Sequence, residues 1–248
     1  MAGLSGTPTI GTVDVYTSNA DQGNTELGQL LFGPHGKAFR YCKAGETLVV
    51  GNMTQSKVAD TQFDGLVPTA TIPIGSMTIT LTNGTTALTV GNEFKDGTAV
   101  VSVTPGLGQE FTIMGNSTAI ASTGVITVYL DRPLRVALTT TSRVTLKYSP
   151  WYNVIQMPYT TLTGVATGVV VYPIVSGEYG WLQTKGVAGV LCDGSTAIIG
   201  SDLGVPPATA ISGGVGVNVA GSGKCNTIGR AMKAISSAVV SPVYLCID

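Results

Sequence analysis

One histidine and fourteen acidic residues are the side chains of this 248-residue chain best suited to proton transfer or metal binding. His35 stands between Pro34 and Gly36, and no second element of a zinc site or a Ser-His pair accompanies it. The acidic residues are dispersed, without the Asp-x-Asp spacing of a calcium loop. We therefore predict that His35 is a loop imidazole. The chain is expected not to be an enzyme, with no catalytic, cofactor-binding or metal-ligating residue to assign.

A glycine-rich segment near the end of the chain resembles a phosphate-binding loop only in part. It contains the residues Gly221, Ser222, Gly223, Lys224 and Cys225. A phosphate loop requires a glycine where Asn218 stands and a serine or threonine where Cys225 stands. The glycines at 213, 214 and 216 likewise lack a dinucleotide-binding context. Both segments are predicted to be loops between strands.

The aromatic residues are few, but two pairs of them are close in sequence. Trp151 and Tyr152 follow Pro150, and Tyr179 and Trp181 flank Gly180. Exposed rings in such pairs could stack on a sugar or a base, whereas buried rings would fill the core at corners of a β-sheet. We favour a core or interface position for these aromatic residues.

The elements that position these residues are predicted to be β-strands almost throughout. Residues 76–82 alternate apolar side chains with Ser and Thr, and Asn83-Gly84 then predicts a hairpin turn to a strand over 85–90. Short alternating runs separated by Gly, Pro and Asn favour an antiparallel β-sandwich or β-barrel with little or no helix. The further predicted strands cover 99–103, 110–114, 124–130, 143–148, 178–184, 187–192 and 239–247.

One segment is ambiguous between a helix and a strand. Ile228, Met232 and Ile235 have helical spacing, but Gly229 and the β-branched residues that follow weaken a helix. We favour a strand. The chain is predicted to divide into an extended N-terminal arm (1–37), a β domain made of 38–68 and 151–248, and an inserted β domain (69–150).

The chain carries very little charge. Charged residues make up 11% and the formal net charge is -1, against about 25% charged residues in an average domain. Without a basic stripe, direct binding to nucleic acid is not expected. Uncharged Thr, Ser, Gly and Asn take the place of charge, and such a surface favours an obligate oligomer or a shell component.

Neither a membrane span nor a targeting segment is expected. The most apolar stretch, 165–175, is too short to cross a bilayer and contains Pro173. The four cysteines are scattered and are predicted to be free thiols, as is usual for a protein made in a cytoplasm. They are Cys42, Cys192, Cys225 and Cys246.

Four segments resemble strand patterns of structural proteins from tailed-bacteriophage heads, in particular capsid decoration (cement) proteins. They are 108–116 (GQEFTIMGN), 128–138 (VYLDRPLRVAL), 177–186 (GEYGWLQTKG) and 243–247 (VYLCI). The resemblance covers roughly residues 40–248 and includes no catalytic signature. It implies a structural virion protein that binds the outer capsid surface, often as a homotrimer, and braces neighbouring capsomers. The implied partners are the major capsid protein and other copies of the chain, which would be made in the host cytoplasm.

Three alternatives stay open. A head fibre or receptor-binding module would recognise host glycans through exposed rings such as Trp151 and Trp181. A β-rich hydrolase would bring two carboxylates from different strands into one cleft. A milder variant places the chain in the tail or in the interior of the head.

Overall fold

The computed structural model describes residues 13–159, 163–193, 197–204, 211–217, 227–235 and 238–248. Within these residues, the secondary structure consists of fifteen strands and two single 3-10 turns, Pro34–Gly36 and Thr61–Phe63. The strands pair antiparallel, which confirms the predicted all-β fold. The strands are β1 (Leu30–Phe32), β2 (Ala38–Lys43), β3 (Met53–Gln55), β4 (Thr78–Thr82), β5 (Thr98–Val103), β6 (Glu110–Asn116), β7 (Val125–Leu130), β8 (Arg143–Lys147), β9 (Ile155–Gln156), β10 (Ala166–Val170), β11 (Tyr179–Leu191), β12 (Asp202–Gly204), β13 (Gly216–Val217), β14 (Gly229–Ala231) and β15 (Val240–Cys246).

The chain forms two compact units. The first, called here the discontinuous unit, comprises Met1–Val58 and Pro150–Asp248, and the second, the inserted unit, comprises Ala59–Ser149. The sequence placed the start of the insertion at residue 69, whereas the compact unit begins ten residues earlier.

Pairing around the inserted unit explains this earlier start. Its strands follow the order β4-β7-β6-β5-β8. Leu66 then pairs with Val144 in β8, and Pro68 pairs with Leu81 in β4. The segment 66–68 therefore joins the two ends of the sheet into a closed ring of pairings, as in a barrel.

In the strands of the inserted unit, side chains alternate between buried and more exposed positions, as expected for a sheet with one face in the core. In β4, Ile79 and Leu81 are buried, while the three threonines Thr78, Thr80 and Thr82 are partly exposed. The inward side chains form one apolar core with Phe63 and Phe94. The ring centroids of Phe63 and Phe94 are 4.8 Å apart, and Phe94 stacks on Tyr148 at 4.4 Å.

The predicted hairpin at Asn83-Gly84 is wrong. Instead of pairing with residues 85–90, β4 pairs with β7. Neither Asn83 nor Gly84 is among the described residues with positive φ, which the predicted turn requires. The Asn83 side chain stabilises a different conformation from the predicted turn, because its Nδ2 donates to Thr86 O and to Ile120 O, both at 2.9 Å.

The discontinuous unit is organised around the 13-residue strand β11. Its first half pairs with β2 and its second half with β15, while β10 pairs with Leu182 and Gln183 in the first half. The sheet path through the described strands is β13-β12-β14-β15-β11-β10-β3-β9. The strand β14 confirms that Gly229–Ala231 is extended and not helical.

The described part of the predicted N-terminal arm belongs to the discontinuous unit and packs into its core. Val15 and Leu31 are buried in one cluster with Phe39, Tyr41 and Trp181. The backbone of Asn19 exchanges two hydrogen bonds with that of Tyr179, at 2.9 and 2.8 Å. Residues 13–37 therefore contribute core side chains and the short strand β1, which has too few residues to show a period in the sequence.

Candidate functional site

His35 is exposed at the tip of the turn between β1 and β2, with a φ of 58°. Across the described residues, no group of three or more His, Cys, Asp or Glu side chains could hold a metal ion. The predicted loop that contains Lys224 and Cys225 lies outside the described residues. The nearby Gly213 is described and packs against β3, since Met53 N donates to Gly213 O at 2.7 Å.

The two tryptophans occupy different environments. Trp181 is 3% exposed and its ring lies 5.0 Å from that of Tyr41, which agrees with the predicted core position. Trp151 is half-buried and packs against a second apolar cluster. Gly28, with a φ of 82°, lies so close to the Trp151 ring that a Cβ at this position would collide with it.

The tyrosines that are close to these tryptophans in sequence, Tyr152 and Tyr179, contact lysines of the discontinuous unit. Lys43 Nζ lies 5.5 Å from the ring centroids of both Tyr152 and Tyr179. Lys57 Nζ lies 5.9 Å from Tyr152. Cation–π contacts of this kind contribute about 0.5–1 kcal/mol each at exposed positions. They orient the two tyrosines but bring no acid–base pair together.

In the discontinuous unit, an ion pair with two hydrogen bonds joins β2 to Asp248, and β11 contacts the same carboxylate. Arg40 donates from Nε and Nη2 to the two carboxylate oxygens of Asp248, each at 3.1 Å. Thr184 Oγ1 donates to the same carboxylate at 2.5 Å. The guanidinium also lies 5.1 Å from the Trp151 ring centroid. Burial alone would raise the pKa of Asp248, but the bonds from Arg40 and Thr184 and the nearby cations outweigh it and lower the pKa.

This pKa shift predicts a pH dependence of stability. Because the carboxyl pKa is lower in the folded state, the folded state is favoured while Asp248 is ionised. The contribution is present above the unfolded pKa of about 3.9 and is lost as the pH falls through the folded pKa. We expect Asp248→Asn to lower the free energy of unfolding by about 1 kcal/mol at pH 7. The difference from the native chain should shrink as the pH falls from 7 to below the unfolded pKa of about 3.9, as measured by urea unfolding. A difference that does not change with pH would contradict the assignment.

A cleft in the inserted unit brings together two arginines that the sequence did not identify as candidate site residues. Its volume is about 420 Å³ and its lining includes Gln109, Arg132 and Arg135. The Gln109 amide fixes the arginine-bearing loop, because its Oε1 accepts from the backbone N of Arg135 and Val136 at 2.9 and 3.1 Å. Arg132 lies 5.6 Å from the Phe111 ring centroid and donates to Glu110 O. The cleft could take up a carboxylate, although Glu110 also lines it.

A second cleft, of about 520 Å³, includes Asp14 and Asp21 in its lining. Two carboxylates in one cleft are what the hydrolase alternative requires. Both side chains are exposed, whereas a carboxyl that acts as a general acid is typically shielded from water. Asp14 Oδ1 accepts from Tyr16 N at 2.9 Å, which is a local turn contact.

The remaining feature is the open surface of the strands. In the inserted unit, the partly exposed positions of β4 are Thr78, Thr80 and Thr82. Among the residues that the structure describes, four arginines and lysines each form an ion pair with a nearby acid: Arg40–Asp248, Arg132–Asp131, Lys147–Asp64 and Arg230–Asp202. The charge of these four cations is therefore locally neutralised.

No helix in the described residues has the length and apolar character needed to cross a bilayer. Comparisons with known protein families, with curated proteins and with solved structures found no match to this chain.

Proposed function

We propose that this chain is a non-enzymatic structural protein of a virion, a capsid decoration protein that binds the outer surface of a tailed-phage head. In this proposal it acts as a homo-oligomer, a trimer, and braces neighbouring capsomers against the pressure of the packaged DNA. Its partners are the major capsid protein and other copies of itself. The segment resemblance motivates this role.

The observation that carries the proposal is the low charge of an all-β chain, in which charged residues make up 11%. Threonines occupy the partly exposed positions of β4, and cations such as Arg40 and Lys147 are paired with acids. An uncharged surface can be covered by another protein without removing ions from water, a removal that costs several kcal/mol per unpaired ion. Such a surface is better suited to a permanent contact with another protein than to binding a small substrate.

Oligomerisation would make weak contacts with the shell effective. Once one subunit of a trimer is bound, the others bind intramolecularly, and avidity rises by about 10²–10⁴. Each subunit then needs only a modest contact with its capsomer. A brace of this kind resists expansion because it connects several capsomers at once.

The burial of Trp181 argues against the glycan-binding alternative. Only 3% of this side chain is exposed, so it offers little ring surface to a sugar. The half-buried Trp151 already contacts Arg40 and Gly28. Neither tryptophan is the open aromatic platform that this alternative requires.

The test uses phage heads from which the protein has been removed. We expect that adding the purified chain raises the temperature at which the depleted heads rupture, measured by release of DNA to a fluorescent dye. An equal mass of an unrelated neutral β protein serves as the control and should leave the rupture temperature unchanged. Identical rupture temperatures with and without the chain would contradict the bracing role.

A further inference from the structure

The cleft between the start of β6 and the loop that follows β7 has a volume of about 420 Å³. We call it the Arg132–Arg135 cleft. Its lining consists of Gly108, Gln109, Glu110, Phe111, Arg132 and Arg135. All of these residues belong to the inserted unit. The bracing role proposed above does not use this cleft, so its two arginines call for a separate explanation.

The backbone of the arginine-bearing loop is fixed from two sides. Leu134, between the two arginines, is 2% exposed and packs in the core of the unit. Its N donates to Ser76 O and its O accepts from Gly75 N, both at 2.9 Å. On the other side, Gln109 Nε2 donates to Val136 O at 3.1 Å, in addition to the two bonds that its Oε1 accepts. The loop backbone is therefore ordered before any ligand arrives, and a preorganised site loses less entropy on binding.

The Arg132 guanidinium is held in place without using up its donors. Its Nη2 donates to Glu110 O, and its Cζ lies 5.6 Å from the Phe111 ring centroid. Its ion pair with Asp131 is long, with 3.7 Å between Nη1 and Oδ2, because Asp131 also accepts from Thr112 N at 2.9 Å. A guanidinium has five N–H donors, so Arg132 keeps donors for a ligand.

Arg135 differs from other cations of the inserted unit. In the part of the chain that the structure describes, neither an ion pair nor a side-chain hydrogen bond engages its exposed guanidinium. By contrast, Arg143 Nη1 donates to the backbone carbonyls of residues 140–142, and Lys147 pairs with Asp64 at 2.6 Å. The cleft therefore contains a guanidinium whose donors have no partner within the described residues.

We propose that the Arg132–Arg135 cleft binds a carboxylate on an acidic peptide segment of a partner protein. Two guanidinium groups supply forked N–H donors that match the two oxygens of a carboxylate. The inference does not depend on the proposed function, because the cleft takes a charged group, whereas the contact with the shell is proposed to be uncharged.

The remaining lining residues favour a peptide over other carriers of negative charge. Glu110 lines the cleft, so it repels a ligand of higher charge, such as a phosphate dianion. The same carboxylate accepts hydrogen bonds, and a peptide brings backbone N–H groups that can donate to it. A sugar acid gains affinity from an open aromatic ring, but Phe111 is only 2% exposed.

Titration of the full chain with a capped tripeptide that has one aspartate between two glycines tests the inference. We expect saturable shifts of the arginine Nε–Hε signals in NMR spectra, with a dissociation constant on the order of 1 mM. Arg135→Gln removes one exposed guanidinium and should raise this constant at least about 10-fold. The matched control is Lys95→Gln, because Lys95 is an exposed cation of the same unit that does not line the cleft. This control should change the constant by less than about 2-fold.

A second variant should change the affinity in the opposite direction. Glu110→Gln keeps an oxygen that accepts from the peptide backbone but removes the negative charge beside the bound carboxylate. We expect the dissociation constant of the aspartate peptide to fall several-fold. A disturbance of the cleft structure would weaken binding in both variants, so opposite changes for Glu110→Gln and Arg135→Gln isolate the effect of charge.

Three results would overturn the inference. The first is an equal affinity for the aspartate peptide and for the same peptide with asparagine in its place. The second is an equal effect of Arg135→Gln and Lys95→Gln. The third is saturable binding of glucuronate or inorganic phosphate by a chain that does not bind the aspartate peptide; with glucuronate, this result would support the glycan-binding alternative. None of these results bears on the bracing role, which is tested on phage heads.

Discussion

Replacing Trp181 by alanine is expected to lower the free energy of unfolding by about 3–5 kcal/mol. Trp181 is 3% exposed and packs in one cluster with Val15, Leu31, Phe39 and Tyr41. Removal of the indole leaves a cavity at the point where the N-terminal segment meets β2 and β11. The loss therefore combines lost apolar burial with the cost of the cavity.

The measurement is urea unfolding followed by circular dichroism, with Tyr172→Ala as the control. Tyr172 is 41% exposed, so its truncation should cost less than about 1 kcal/mol. If Trp181→Ala were as stable as Tyr172→Ala, the indole would not be part of the core. An intact fold combined with loss of binding to an immobilised glycan would instead support the glycan-binding alternative.

Replacing Phe94 by alanine is expected to destabilise the inserted unit by a similar amount, about 3–5 kcal/mol. Phe94 is fully buried, stacks on Tyr148 at 4.4 Å with an interplanar angle of 7°, and meets the edge of Phe63. Truncation removes both ring contacts at once. The effect should therefore exceed that of removing a single aliphatic group from the same core.

Val90→Ala is the matched control for Phe94→Ala, because Val90 belongs to the same unit and is 54% exposed. We expect a change of less than about 0.5 kcal/mol for this variant. Differential scanning calorimetry of the full chain measures both variants. An unchanged transition for Phe94→Ala would contradict the described core of the inserted unit.

The sequence predicted the strands of the inserted unit well, because their side chains alternate between the core and the surface. Residues 99–103, 110–114, 124–130 and 143–148 coincide closely with β5, β6, β7 and β8. The segment 66–68 escaped detection because it joins the ring through isolated pairs at Leu66 and Pro68. Such pairs leave no periodic pattern. The hairpin prediction at Asn83-Gly84 failed because the Asn83 side chain also binds Ile120 O, 37 residues away, and this contact overrides the local turn preference.

The site was less predictable than the fold. The sequence could not show that Trp181 is buried while Trp151 is half-buried, because exposure depends on packing against Tyr41 and Gly28 from elsewhere in the chain. The Arg132–Arg135 cleft depends on the Gln109 amide, a contact across 26 residues.

The central claim is that this chain binds the outer surface of a phage head and is bound by other copies of itself. Co-sedimentation with heads from which the protein has been removed tests this claim most directly. We predict saturable binding at a fixed ratio to the capsid subunits. Because the proposed contact is uncharged, binding should persist at about 1 M salt, where the Debye length is only about 3 Å. Retention of the chain in the supernatant at every concentration would contradict the account.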